Sequence, residues 1–166
     1  MRSRLLATIG VGISLALTAA PTAQGDTITA ESNGGATGVR RVAVSPPIGS
    51  GWLNFIWYGE QPADPTFSFT TKTAVRVTVT DAYCKGDAFT LLNAGEIVAV
   101  TPTVAAGGCP GPADVSDPDV ALKDPSYSHS SVVLKPGTYD ISIVATENPY
   151  GSGGAFIRFD FPPRMP

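Results

Sequence analysis

Histidine occurs once and cysteine twice in 166 residues, and charged side chains make up 15% of the chain. Each scarcity removes a class of chemistry. A zinc site wants four closely placed ligands, which one histidine and two distant cysteines do not supply. A serine-type triad would have to form around His129, with Ser128 and Ser130 as its sequence neighbours. Adjacency in sequence is not catalytic geometry, and a lone histidine near a strand start is expected to bond to loop backbone instead. Basic residues are also few, 11 against 14 acidic ones, and Arg40–Arg41 is the one adjacent basic pair. Attraction to phosphate needs a basic face, so nucleic acid is not an expected partner.

Long apolar runs are missing after the first twenty residues. The opening MRSRLLATIGVGISLALTAA has two arginines and then an apolar run from Leu5 to Ala20. It is short and built of small residues, which suits a secretory signal peptide better than a membrane span. Ala23 and Gly25 fit the small-residue positions of a cleavage site, so cleavage is expected after Gly25, with Ala20 as the fallback. No membrane span is expected, and the product should be extracellular. Losing Arg2 and Arg4 would leave nine basic residues against fourteen acidic, a net charge of about minus five. One domain is the expectation for this length. The division is 1–25 signal peptide, 26–50 an N-terminal arm or first edge strand, and 51–166 a β-sandwich.

Helical periodicity is nearly absent, and what remains is the period of strands. WLNFIWY (52–58), TFSFT (66–70), AVRVTVTD (74–81), AFTLL (88–92), EIVAVT (96–101), SVVL (131–134), TYDISIVAT (138–146) and AFIRFDF (155–161) predict about eight strands. Val75, Val77 and Val79 alternate with Arg76, Thr78 and Thr80, as in a strand with one buried face. The fold class predicted is all-β, a single antiparallel sandwich of jelly-roll type. Asn93-Ala94-Gly95 and Lys135-Pro136-Gly137 read as hairpin turns, the latter with glycine at positive φ. Pro149 to Gly154 reads as a glycine-rich hairpin loop joining an antiparallel pair, without the spacing of a dinucleotide fingerprint.

Thr101 to Ser130 resists strand assignment, being rich in Pro, Gly, Asp and Ser. Asp117-Pro118-Asp119 predicts one helical turn, with a cap residue, a proline at the first helical position and an acid in the first turn. The exported context favours one disulfide, Cys84–Cys109, holding this segment to the strand turn DAYCKGDAF. Closing a loop of roughly 26 residues contributes on the order of 3 kcal/mol.

Three stretches carry a resemblance: TVTDAYCKGDAFTLLNAG, DPDVALKDPSYSHSSVVLKPGTYDISI and PYGSGGAFIRFD. Over Trp52 to Asp160 the chain resembles a group of small secreted fungal proteins with no established activity. That group shares D-x-x-C-x-G-D-x-F, D-P-D-x-A-x-x-D-P-x-Y-S-H and G-S-G-G-A-F-I-R patterns. The resemblance implies a secreted β-sandwich and brings no catalytic residue with it. The chain departs from the pattern at Ser130, where such chains often have glycine.

Two functions from different classes remain. The leading expectation is a non-catalytic binding protein, with cell-wall or host-surface carbohydrate, or a surface protein, as partner. Trp52, Trp57, Tyr58, Tyr127 and Tyr150 are the candidate ligand-binding rings. Along the first long strand, Phe55 and Trp57 share one face while Trp52 and Tyr58 share the other. The alternative is a secreted hydrolase acting on polysaccharide through two facing carboxylates. Asp81 and Asp87 bracket the cysteine, and the disulfide would bring Asp114, Asp117 and Asp119 near them. These five make a candidate calcium site, since calcium takes six to eight oxygen ligands; no other cofactor is expected.

Overall fold

Strict alternation sends Phe55 and Trp57 to one side of their strand, where each is 1% exposed, and leaves Ile56 and Tyr58 facing outward at 40% and 69%. The same rule, repeated along most of the strands, builds the main core. The computed structural model describes residues 41–107 and 115–163. The expected signal peptide, most of the N-terminal arm, Cys109 and Asp114 lie outside the described residues.

Nine strands and one helical turn follow in order: β1 (Ala43–Val44), β2 (Trp52–Tyr58), β3 (Thr66–Thr71), β4 (Val75–Thr80), β5 (Ala88–Asn93), β6 (Glu96–Val100), α1 (Pro118–Ala121), β7 (His129–Leu134), β8 (Gly137–Glu147) and β9 (Ser152–Asp160). They form two sheets, ordered β1-β3-β8-β5-β6 and β2-β9-β4-β7. The all-β class and the eight expected strands are present. The additional strand, β1, pairs with β3 in parallel, Ala43 opposite Thr66, so the fold is not purely antiparallel.

The sheets face each other across one core. Phe67 and Phe69 of β3 meet Phe159 of β9 at 5.4 and 5.3 Å between ring centres, and Phe89 of β5 lies edge-on to Trp57 of β2 at 5.1 Å. Burying a ring of this kind contributes about 1.5–3 kcal/mol, which makes these contacts the main tie between the layers.

Two expected hairpins are corrected. β7 and β8 lie in different sheets, and so do β8 and β9, so the links at Lys135–Pro136 and Asn148–Gly151 cross between layers. Gly137 opens β8 opposite Thr71 without a positive φ. Gly153 and Gly154 belong to β9, opposite Trp57 and Ile56, rather than to a flexible loop. The hairpin between β5 and β6 does form, with Ala94 and Gly95 at φ 48° and 92°. Asn93 stays in the strand, and its side-chain oxygen accepts from the Asp140 amide at 2.9 Å.

Residues 115–128 of the long segment after β6 lie over the outer face of the four-stranded sheet. Asp117 caps α1 by accepting from the Asp119 amide at 2.9 Å, and Pro118 is its first helical residue, as expected. Ala121 and Tyr127 pack with Ala82, Tyr83, Val115 and Phe156 in a second small core. This cover also buries Thr80, which faces away from the main core.

Candidate functional site

The connection from β4 to β5, Asp81 to Asp87, is held by the long segment at both of its arms. The Asp81 amide donates to the Ser128 carbonyl at 2.7 Å, and the Tyr83 amide donates to that of Val115 at 2.8 Å. Lys85 and Gly107 exchange two backbone hydrogen bonds of 2.9 and 3.1 Å. Cys84 therefore sits between the strand-like contacts that lead the chain out at Gly107 and back at Val115. It is not a free thiol.

The two aspartates of this connection lie inside the protein, Asp81 at 0% and Asp87 at 3% exposure. Asp81 Oδ1 accepts from the Ala82 amide at 2.8 Å, while Asp81 Oδ2 and Asp87 Oδ1 have no partner of full hydrogen-bond geometry. Burial pushes the Asp81 carboxyl up to about 8, with the neighbouring Asp87 charge adding to the effect and the amides of Ala82, Gly86 and Asp87 opposing it. Burial pushes Asp87 up to about 6. A carboxyl in this state holds a proton at mildly acidic pH.

Of the other acids of the expected calcium set, Asp114 lies outside the described residues, and Asp117 and Asp119 are engaged elsewhere. Asp117 is engaged as the α1 cap, and Asp119 accepts from Trp52 Nε1 at 3.0 Å and from Arg158 Nη1 at 3.3 Å. Among the described residues, no group of three or more His, Cys, Asp or Glu is arranged to hold a metal ion. Asp81 and Asp87 alone offer too few oxygens for calcium.

His129 bonds to loop backbone, with Nδ1 2.9 Å from the Tyr127 carbonyl; that acceptor requires the proton on Nδ1. Ser128 is fully buried, and its Oγ donates to Thr101 Oγ1 at 2.6 Å and also contacts the Pro102 carbonyl. Its hydroxyl thus bonds away from His129, which is not the geometry of a nucleophile and its base.

The candidate rings divide sharply. Trp57 and Tyr127 are 1% and 0% exposed, so neither presents an open ring for stacking, and both expectations are corrected in that respect. Tyr127 looked like a loop aromatic, but the fold-back of its own segment buries it, with its hydroxyl donating to the Tyr83 carbonyl at 3.0 Å. Trp52 is half-buried, and the Arg158 guanidinium covers its ring at 4.4 Å. Tyr58 and Tyr150 remain accessible, at 69% and 41%.

Tyr58 borders a pocket of about 140 Å³ lined by Arg41, Ile56, Trp57, Gln61, Pro62 and Asp64. The loop after β2 shapes it, pinned by an exchange of backbone hydrogen bonds between Ile56 and Asp64, both 2.9 Å. Asp64 also accepts from the Val42 amide at 2.9 Å, which brings the N-terminal strand to the rim. Gly59 donates to the Gly151 carbonyl at 2.6 Å, so the loop carrying Tyr150 adjoins the one leaving Tyr58. Sequence reasoning named both tyrosines and missed Arg41, Gln61 and Asp64, which nothing in their local pattern marks.

No protein-family model matches the chain. A search of curated proteins gives no significant match.

Proposed function

We propose that this chain is a secreted β-sandwich protein of jelly-roll type that acts by binding, with extracellular carbohydrate as its ligand class. The observation that carries the reading is the exposed Tyr58 ring beside a mostly apolar pocket lined in part by Arg41, Gln61 and Asp64, which bring a guanidinium, an amide and a carboxylate. A sugar offers an apolar ring face and a rim of hydroxyls, and an aromatic face flanked by planar polar groups complements both. Strand orders β2-β9-β4-β7 and β3-β8-β5-β6 support the jelly-roll assignment, with every consecutive pair from β2 to β9 except β5–β6 exchanged between the layers. The Cys84–Cys109 bridge belongs to the same reading, because Cys84 is not a free thiol and the chain is hydrogen-bonded on both sides of it.

Hydrolysis by a carboxylate pair draws little support. Asp81 and Asp87 are the acids with raised pKa values, yet they are enclosed, and a glycosidase pair must face its substrate across a cleft. The test is a glycan-array screen of the mature protein, followed by titration of the best glycan into wild type and Tyr58→Ala. Loss of one stacking ring is expected to weaken binding about tenfold, or ~1.4 kcal/mol, with the melting temperature unchanged. Retention of no glycan by the wild type would remove the carbohydrate reading. Equal affinity in the variant would move the site away from Tyr58.

A further inference from the structure

The β4–β5 connection combines features that ordinary turns avoid. Two carboxyls are enclosed with an unpaired oxygen each, and between them Tyr83 takes φ 61°, a backbone state unfavourable for a bulky residue. Around them the connection is clasped by both described parts of the long segment, at 101–107 and 115–128. Asp81 is tied to Ser128, Tyr83 to Val115 and Lys85 to Gly107. Ser128 is then tied to Thr101, whose Oγ1 accepts from the Phe89 amide at 2.8 Å. Gly86 completes the closure, because a side chain there would meet the Ala106 backbone at 2.8 Å. The carboxyls thus lie at the point where the connection, the start of β5 and the segment meet.

We propose that Asp81 and Asp87 form a buried carboxyl latch, which holds the 101–107 and 115–128 stretches on the end of the sandwich in acid and loosens them as the medium becomes alkaline.

A protonated carboxyl carries no charge and can donate as well as accept, so its enclosure is tolerable in a water-poor site. When both ionise, two like charges lie enclosed, at 0% and 3% exposure. Among the described residues, the charged groups on the surrounding elements have partners or positions of their own. Lys85 pairs with Asp124 at 3.6 Å and lies over the Tyr127 ring at 5.0 Å. His129, at the start of β7, faces the Tyr127 carbonyl. Glu147, at the end of β8, is exposed opposite Ala88. In the covering segment Asp117 and Asp119 have the partners given above, Lys123 is exposed, and 101–107 has no charged residue.

The sign follows from linkage. Both folded-state values are raised above the ordinary ~3.9, so the folded form binds the protons more tightly than the unfolded chain does. The stabilisation is full below about pH 4 and is lost as pH rises through about 6 and then about 8.

The test is thermal unfolding of the mature chain at about pH 5 and about pH 8.5, with proteinase K digestion normalised at each pH to an unfolded substrate. The wild-type midpoint is expected to fall by at least about 5 °C at the higher pH, and cleavage within 101–128 to accelerate. Asp81→Asn and Asp87→Asn should each shrink both effects, and the double variant should abolish them. A wild-type midpoint equal or higher at pH 8.5 overturns the latch, as does an unchanged pH response in the double variant. Should the variants fail to fold, the carboxyl carbon NMR shifts of wild type decide, and titration of Asp81 in the ordinary carboxylate range overturns it. Stabilisation at pH 8.5 by millimolar calcium would assign the pair to a cation and also overturn it.

Discussion

A methyl group added at Gly153 would lie 2.5 Å from Cζ2 and 2.8 Å from Cη2 of Trp57, well inside contact distance. The indole cannot retreat, since it is 1% exposed and wedged against Phe55 and Phe89 at 5.9 and 5.1 Å. Gly153→Ala is therefore expected to destabilise by about 1–3 kcal/mol, read as a lower denaturant midpoint with an unchanged slope. Gly151, at φ 81° with open space around it, makes a contrast, because strain there would come from the backbone and not from packing. Nothing in the string Gly-Ser-Gly-Gly separates the two roles. The partner that makes Gly153 obligatory is Trp57, nearly a hundred residues away, and only strand pairing brings it there. Residue-level reading succeeded where the reason was local: the Asp117 cap and the shared face of Phe55 and Trp57 depend on near neighbours, whereas which face of the strand turns inward is decided by the opposite sheet.

Strands were legible as elements because a half-buried strand writes its period directly into the sequence, and β2 falls on the expected Trp52 to Tyr58. Their partners were not. A short turn with proline or glycine serves a hairpin and a crossing between layers equally well, and the choice at Lys135–Pro136 and Asn148–Gly151 is made by core packing far from the turn. The long segment poses the same problem, because its cover of the outer sheet face rests on contacts from α1 to strands much earlier and later in the chain. Asp119 is the central one, accepting from Trp52 on β2 and from Arg158 on β9, while Arg158 Nε also meets Asp160 at 2.6 Å. Asp119 is 57% exposed in its side chain, so the ion pair itself is worth little. Asp119→Ala is expected to cost less than about 1 kcal/mol in stability while freeing the Trp52 indole. The check is tryptophan fluorescence, which should gain a red-shifted component more accessible to iodide; an unchanged spectrum would place the hold on Trp52 elsewhere.

At the scale of the whole molecule, β2 pairs with β9, so the sheet closes only when the two ends of the sandwich sequence meet. Such a fold carries a large entropy of closure, and a covalent link between distant segments has the most to offer an unfolded chain of this kind. The proposed Cys84–Cys109 bridge would act in that way. Hydrogen bonds from Tyr83 to Val115 and between Lys85 and Gly107 already place the two stretches side by side, so the folded geometry does not depend on the sulfur bond. Reduction, or Cys84→Ser with Cys109→Ser, is accordingly expected to lower stability by about 3 kcal/mol while leaving the far-UV spectrum and glycan binding at Tyr58 intact. Proteolysis should then concentrate between Thr101 and Ser128, the stretch that the bridge and the carboxyl latch would hold together. Because the bridge acts on the unfolded chain and the latch on the folded one, the two losses should add: the pH response of the midpoint should persist after reduction. A mass spectrum of the protein with two free thiols would refute the bridge while leaving the latch standing, and a reduced protein without any pH response would tie the carboxyls to the sulfur bond instead.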